Sequence, residues 1–245
     1  MNIAVTGDKG FIGTHLVNLL KKKNELNLFC FDRSKYNLFD PPSLKEFVSD
    51  KDVIIHLAGV NRDSDTAIIA GSICTTYNLI LAMKKVKSKA RVIFASSIQA
   101  ETKSVYGLSK RLAEIMLKDL PEELKAPVTV LRMANVFGEG CRPFYNSVVA
   151  TFCHQVAHSE EISIIEDRRV NFIYVGDVVK GIFSEIMEKG NKFYIKRLSS
   201  ENILLVSELA EAIRSFEHLD KEPKFESKFH NNLYTTYLSY KDRDR

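Results

Sequence analysis

Residues 1–13, MNIAVTGDKGFIG, set the frame for the whole chain. Ile3, Ala4 and Val5 make a short apolar run of strand type; Gly7, Gly10 and Gly13 follow in GxxGxxG spacing, and FIGTHLVNLLKKK then carries helical periodicity. A strand that runs through spaced glycines into a helix leaves backbone N–H groups and the positive end of the helix dipole at the strand's C-terminal edge. Glycine there permits the tight turn and lets the backbone come close to a pyrophosphate. A glycine triplet alone is equally an ordinary strand-to-helix turn. With the strand before it and the helix after it, a dinucleotide site is expected, with Gly7, Lys9, Gly10, Phe11 and Ile12 closest to it.

Outward from this start the same rhythm repeats. LNLFCFD, the helical SLKEFVSD and the strand VIIHLAG complete a β-α-β-α-β series; a helix over SICTTYNLILAMKKV, a strand at RVIFASS, a helix from about Ser109 through Lys118 and a strand at VTVLRMAN continue it. Strands this apolar are expected to be buried on both faces, so the series predicts an α/β fold of Rossmann type, a doubly wound parallel sheet with helices on both sides. After Asn135 come a loop (VFGEGCRPFYN), a helix over SVVATFCHQVAH, a short strand at ISII and another near NFIYVGD, which predict a small α/β substrate-binding lobe. The chain is therefore expected to be a single unit, 1–135 mainly nucleotide-binding core and 136–245 mainly substrate lobe with returning elements. The tail from about Lys221 is polar and aromatic, ends in a charged cluster, and either docks on the body or leads to a further part.

Bulk properties narrow the function classes. With 245 residues, 45% of them hydrophobic and 27% charged, the chain has the composition of a globular enzyme. The net charge of +4 is spread thinly, so nucleic acid is not an expected partner. Cys30, Cys74, Cys141 and Cys153 lie far apart without metal-ligand or disulfide-framework spacing, so no metal is expected and a reducing, cytoplasmic setting is. No apolar run approaches the ~18 residues of a membrane span.

Several residues then supply chemistry. Asp32, at the end of the second strand, suits an adenosine ribose and Arg33 suits a 2′-phosphate; the bidentate, permanently charged guanidinium tips the expectation toward NADP(H) over NAD(H). Asp40 either reaches the adenine amino group or caps a helix before Pro41 and Pro42. Leu57, Ala58 and Gly59 follow the third strand, where small residues let the chain pass close to a cofactor. Ser97 ends the fourth strand, and YGLSK places Tyr106 and Lys110 four apart on one helix face. Tyrosine titrates near ~10 in water. A neighbouring ammonium is expected to favour its ionised form and make it a usable acid or base. Ser97 would hold the reacting oxygen.

TGDKGFIG, HLAG, the Ser96–Ser97 pair and YGLSK together resemble the extended short-chain dehydrogenase/reductases, and LRMANVFGEG and YVGDVV extend the likeness over nearly the whole chain. SSIQA, CRPFYNSVVATFCHQVAHSEEISI and LYTTYLSY are similar to the reductase domains of the bifunctional capsular-polysaccharide enzymes of N-acetyl-L-fucosamine synthesis. That resemblance implies NADPH-dependent reduction of the 4-keto group of a UDP-linked 2-acetamido-2,6-dideoxy-hexulose in capsule or O-antigen synthesis. It implies Ser97, Tyr106 and Lys110 as catalytic residues, and Ser97, Gln99, Asn135, Arg142, Tyr145 and Asn146 as the sugar-nucleotide contacts, with Arg142 on the diphosphate. The chain stops close to where those enzymes' cupin domain would start, so epimerisation by that domain is not expected. A homodimer through the helices bearing Asn78 and Tyr106 is implied as well, although their apolar stripes are equally explained by packing on the sheet. Ser72 stands where extended members commonly carry Asn, and Gly176 where a second acid is frequent. The alternatives are an NAD-dependent nucleotide-sugar epimerase or dehydratase and a non-catalytic NADP(H)-binding regulator. Ile98 and Gln99 after Ser97 leave out the carboxylate that dehydratases usually place there.

Overall fold

The computed structural model describes residues 1–188, 190, 192–219, 223 and 225–241. It divides into two compact units, Met1–Met133 with Val179–Leu198, and Ala134–Val178 with Ser199–Arg245.

The first unit is built on six parallel strands, β1 (Asn2–Thr6), β2 (Asn27–Cys30), β3 (Val53–His56), β4 (Arg91–Ser97), β5 (Val128–Met133) and β8 (Phe193–Leu198). They lie in the order β2-β1-β3-β4-β5-β8, a Rossmann-like sheet. From β1 the chain goes first to one side and then to the other, so the loops after β1 and β3 diverge at a switch point, where ligands of such sheets bind. Ile3 pairs with Val53 and Thr6 with His56, which brings the Gly7 turn beside the Leu57 turn.

Helices α1 (Phe11–Leu20), α2 (Leu44–Val48), α3 (Asp65–Ile69), α4 (Thr75–Val86), α5 (Val105–Leu117) and α6 (Leu120–Leu124) fill the crossovers of this unit. Leu44, Phe47 and Val48 of α2, Leu79, Ile80 and Met83 of α4, and Ala113 and Leu117 of α5 cluster with Ala4, Ile54, Phe94 and Val130 of the sheet. Ile3, Val5, Ile55 and Ile93, which alternate with those strand residues, are fully buried too, so the central strands are covered on both faces. The expectation fails for β2, whose Asn27, Phe29 and Cys30 are exposed because it is the sheet's edge. β8, the opposite edge, was not anticipated: FYIKRL, with Lys196 and Arg197 inside it, offers no buried run, and Ile195 is 40% exposed. α5 starts earlier than expected, because Ser104 caps it by accepting from the Gly107 N–H at 3.1 Å.

α3 and α4 are joined through a π-helical segment, Ala70–Cys74, into one run. By length and composition alone Asp65–Val86 suffices to cross a membrane, although its apolar residues are interrupted by polar ones and half of its apolar window is buried inside the fold.

The second unit carries a three-stranded sheet, β6 (Asn135–Phe137), β7 (Arg169–Tyr174) and β9 (Ile203–Leu205), with β7 central, parallel to β6 and antiparallel to β9. Helices α7 (Val148–Ala157), α9 (Val206–Arg214) and α10 (Lys228–Lys241) pack around Phe137, Phe172, Phe216 and Tyr237. α8 (Val175–Met187) begins here and ends in the first unit. The strand expected at ISII does not form: among the described residues no strand pairs with it, and Ile165 is fully exposed. The aromatic tail is a helix, α10, which buries Phe229, Leu233, Tyr237 and Tyr240. The charged cluster expected at the end falls mostly on 242–245, outside the described residues.

Candidate active site

The glycine loop is shaped by contacts no side chain would allow. Gly7 has φ of +71°, and a Cβ there would stand 2.7 Å from the Ala58 nitrogen; one on Gly13 would stand 2.0 Å from the Gly7 carbonyl oxygen. Two turns, after β1 and after β3, therefore touch backbone to backbone. Gly10 opens α1 without any side-chain cap, so the first N–H groups of the helix point at the loop's own concavity. Lys9 and Gly10 are exposed there, Phe11 and Ile12 partly so. This is a cradle that fits a pyrophosphate.

At the end of β2, Asp32 turns back on its own loop: its Oδ1 accepts from the Ser34 N–H at 2.9 Å and the Ser34 hydroxyl at 2.7 Å. Those bonds, with Lys35 and Lys9 nearby, hold its carboxyl below the usual carboxylate range. Arg33 beside it is exposed. Asp40 is also exposed and precedes a short 3-10 turn, Pro41–Ser43, without a side-chain capping bond. Its carbonyl accepts from the Ser43 hydroxyl at 2.9 Å.

Ser97 and Tyr106 meet. Ser97, the last residue of β4, accepts from the Gln99 N–H at 3.1 Å and hydrogen-bonds the Tyr106 hydroxyl. Gln99 itself is exposed. Lys110, one turn along α5 and 5% exposed, donates to the Ala95 carbonyl at 2.9 Å; its ammonium lies 5.8 Å from the Tyr106 ring centre and 5.0 Å from that of Phe94. The ammonium stands beside the phenol as the spacing predicts, but the net shift of the phenol is upward. Burial dominates and pushes Tyr106 up to about 12, with only the Ser97 bond acting the other way. The same burial brings Lys110 down to about 8, partly opposed by Glu114. At neutral pH the pair is therefore phenol plus ammonium. A Cβ on Gly59 would come within 3.1 Å of the Lys110 ammonium, so glycine keeps the space above it open.

Three features of the site were invisible in the sequence. His56 is fully buried, its Nδ1 2.7 Å from the Thr6 hydroxyl and its Nε2 3.3 Å from that of Thr76, and burial drops it to about 3. It ties the ends of β1 and β3 to α4 as a neutral ring. Ser72, on the π-helical segment, has a buried hydroxyl with no hydrogen-bond partner among the described residues. The third is a set of charges, Glu101, Glu114 and Arg132, around the Ser97 end of β4. Nothing local distinguishes these residues, because each partner is remote in sequence. Asn78, on α4, donates to the Leu38 carbonyl at 2.9 Å, a structural tie.

The remaining expected contacts lie in the second unit. Asn135 donates to the Asn171 carbonyl at 3.2 Å. Arg142 and Asn146 are exposed, and the Arg142 guanidinium stands 5.2 Å from the Tyr145 ring centre. The loop that carries them is pinned at two points: Tyr174 donates to both Glu139 carboxylate oxygens at 2.9 Å, and Tyr240 of α10 donates to the Cys141 carbonyl at 2.5 Å. Gly176, where a second acid is frequent, is where the Tyr174 ring lies, since a Cβ there would be 2.6 Å from it.

Known proteins share both the sequence and this architecture. The UDP-2-acetamido-2,6-beta-L-arabino-hexul-4-ose reductase of Pseudomonas aeruginosa is 34% identical over all of this chain and 66% of its own length. The capsular polysaccharide assembling protein CapF from Staphylococcus aureus is 31% identical, with a TM-score of 0.77 over 98% of this chain and 65% of that one. This chain thus spans about two thirds of either. UDP-glucose 4-epimerase from Thermotoga maritima, 21% identical, superposes over the full length of both chains with a TM-score of 0.85 and shares the fold. Residues 3–194 match the NAD dependent epimerase/dehydratase family. The chain belongs to that family of NAD(P)-dependent enzymes.

Proposed function

We propose that this chain is an NADPH-dependent reductase of the 4-keto group of a UDP-linked 2-acetamido-2,6-dideoxy-hexulose, working in the cytoplasm in capsule or O-antigen polysaccharide synthesis. The observation that carries the reading is the meeting of Ser97, Tyr106 and Lys110 at the end of β4, where a serine hydroxyl bonded to a buried phenol, with an ammonium beside its ring, makes a set that can pass a proton to a ketone oxygen. The likeness to the Pseudomonas reductase and to CapF supports the substrate class.

NADPH supplies the hydride. Ser97 orients the ketone through its hydroxyl, Tyr106 gives its proton to the developing alkoxide oxygen, and Lys110, whose ammonium lies beside the ring, stabilises the tyrosinate that remains. Lys110 also has hydrogens beyond the one given to Ala95 with which to hold the nicotinamide ribose. Gly7, Lys9, Gly10, Phe11 and Ile12 are assigned to the pyrophosphate, and Leu57, Ala58 and Gly59 to the phosphates and ribose. Arg33 is assigned to the 2′-phosphate, because the Asp32 carboxylate is already engaged by Ser34. Asp40 is assigned to the adenine. Gln99, Asn135, Arg142, Tyr145 and Asn146 are assigned to the sugar nucleotide, with Arg142 on the diphosphate.

The exposed apolar side chains Leu108, Leu112 and Ile115 on α5, with Tyr77 on α4, support a homodimer through these helices.

The test is stoichiometry. Incubated with NADPH and the UDP-linked hexul-4-ose, the chain should oxidise one NADPH for each sugar reduced. Turnover without net NADPH loss would make it an epimerase or dehydratase, and binding without turnover a regulator. Tyr106→Phe should lower kcat by ~10²–10⁴-fold with NADPH affinity unchanged; undiminished turnover would remove Tyr106 from the mechanism.

A further inference from the structure

We infer that Glu101, Glu114 and Arg132 are positioning residues for the Ser97–Tyr106 pair, forming a charged strut that fixes the end of β4 against α5. The inference rests on the catalytic role proposed for that pair.

Tyr106, Lys110 and Glu114 recur every fourth residue and so share one face of α5. Glu114 is 1% exposed and Arg132, on β5, is 6% exposed. Arg132 grips the Glu114 carboxylate with both ends of its fork, Nε to Oε1 at 2.9 Å and Nη2 to Oε2 at 2.6 Å. Its third arm, Nη1, donates to Glu101 at 2.7 Å, and Arg197 of β8 closes on the same carboxylate at 2.5 and 2.6 Å. The Ser96 hydroxyl donates to Glu114 Oε1 at 2.6 Å.

Ser97 is therefore bracketed. The residue before it is tied to the α5 carboxylate, and Glu101, which closes the 3-10 turn after it, is tied to β5 and β8. Because Ser97 ends a strand and Tyr106 begins a helix, the covalent chain alone leaves their separation loose. A buried ion pair is by itself weak evidence for stability, since well-packed apolar residues often do as well. A planar guanidinium gripping two carboxylates in fixed directions provides geometry instead.

The test compares Glu101→Ala and Arg132→Lys with the wild type and with Ser97→Ala, using full-length protein labelled with [¹³C]tyrosine at Cζ. The Tyr106 signal is identified by its loss in Tyr106→Phe. Glu101 is half-exposed, so Glu101→Ala decides the matter even where Arg132→Lys fails to fold. In the folded variants the Tyr106 signal should move in the direction seen for Ser97→Ala, and kcat with NADPH and the UDP-linked hexul-4-ose should fall ~10–100-fold at unchanged NADPH affinity. A Tyr106 signal coincident with the wild type in folded Glu101→Ala would overturn the inference. Because the signal is read without substrate, a wild type that leaves NADPH unconsumed refutes the proposed activity and leaves this comparison intact.

Discussion

Acidification from pH 7 to pH 5 should expose the buried imidazole of His56 as a stability liability. Folded, the ring lies between Thr6 and Thr76, and burial, with the Lys110 ammonium nearby, lowers it from 6.5 to about 3. Unfolded, it titrates at its ordinary value. A base whose folded value is depressed leaves stability intact above the unfolded value, and stability is lost as the pH falls from 6.5 toward 3, because only the unfolded chain takes up the proton. The loss approaches ~1.4 kcal/mol per pH unit, so the interval from pH 7 to pH 5 costs about 2 kcal/mol. Urea unfolding at half-unit steps measures it. The control is His56→Asn, which starts from lower stability but lacks the titrating ring. Staying at or above pH 5 keeps Asp32, Glu101 and Asp167, whose carboxyls are held low by hydrogen bonds, out of the signal. Wild type and His56→Asn losing stability in parallel would refute the reasoning, since the other histidines are common to both.

Three further outcomes follow from the geometry. Gly13→Ala drives a Cβ into the Gly7 carbonyl and should cost about 1–3 kcal/mol in urea unfolding and weaken NADPH binding, and a variant that binds NADPH normally would contradict the cradle. Arg33→Ala should lower the preference for NADPH over NADH by ~10–100-fold in kcat/KM, the worth of a charge-assisted hydrogen bond, with NADH turnover unchanged; an unaltered ratio would move the 2′-phosphate contact elsewhere. If the proposed dimer forms through α4 and α5, Leu112→Glu on the exposed face of α5 should lower the sedimentation coefficient to that of a single chain, and a coefficient equal to that of the wild type would exclude that face.

Much of the first unit was legible because its signals are local. The spacing of Gly7, Gly10 and Gly13 encodes a turn too tight for side chains, and the run of apolar strands encodes a sheet covered on both sides. Tyr106 and Lys110, one helical turn apart, announce a shared face. Local pattern misled where tertiary pairing decides. ISII looks like a strand but meets no partner, whereas FYIKRL becomes β8 by pairing with β5 despite its charges. The tail's aromatic residues gave no period to choose by, yet they close the second unit's core as α10.

The order of the elements as far as β5, the glycine turn and the shared helix face of Tyr106 and Lys110 were legible in the sequence itself, because each depends on residues close along the chain. Only the tertiary structure decided how dry the Tyr106 hydroxyl is, since burial, which raises it, depends on how α5 packs and leaves no local pattern. It alone also joined Glu114 to Arg132 and Glu101, and His56 to Thr6 and Thr76. Those contacts link strands and helices far apart in the chain, and no short-range pattern records a distance that only the folded sheet creates.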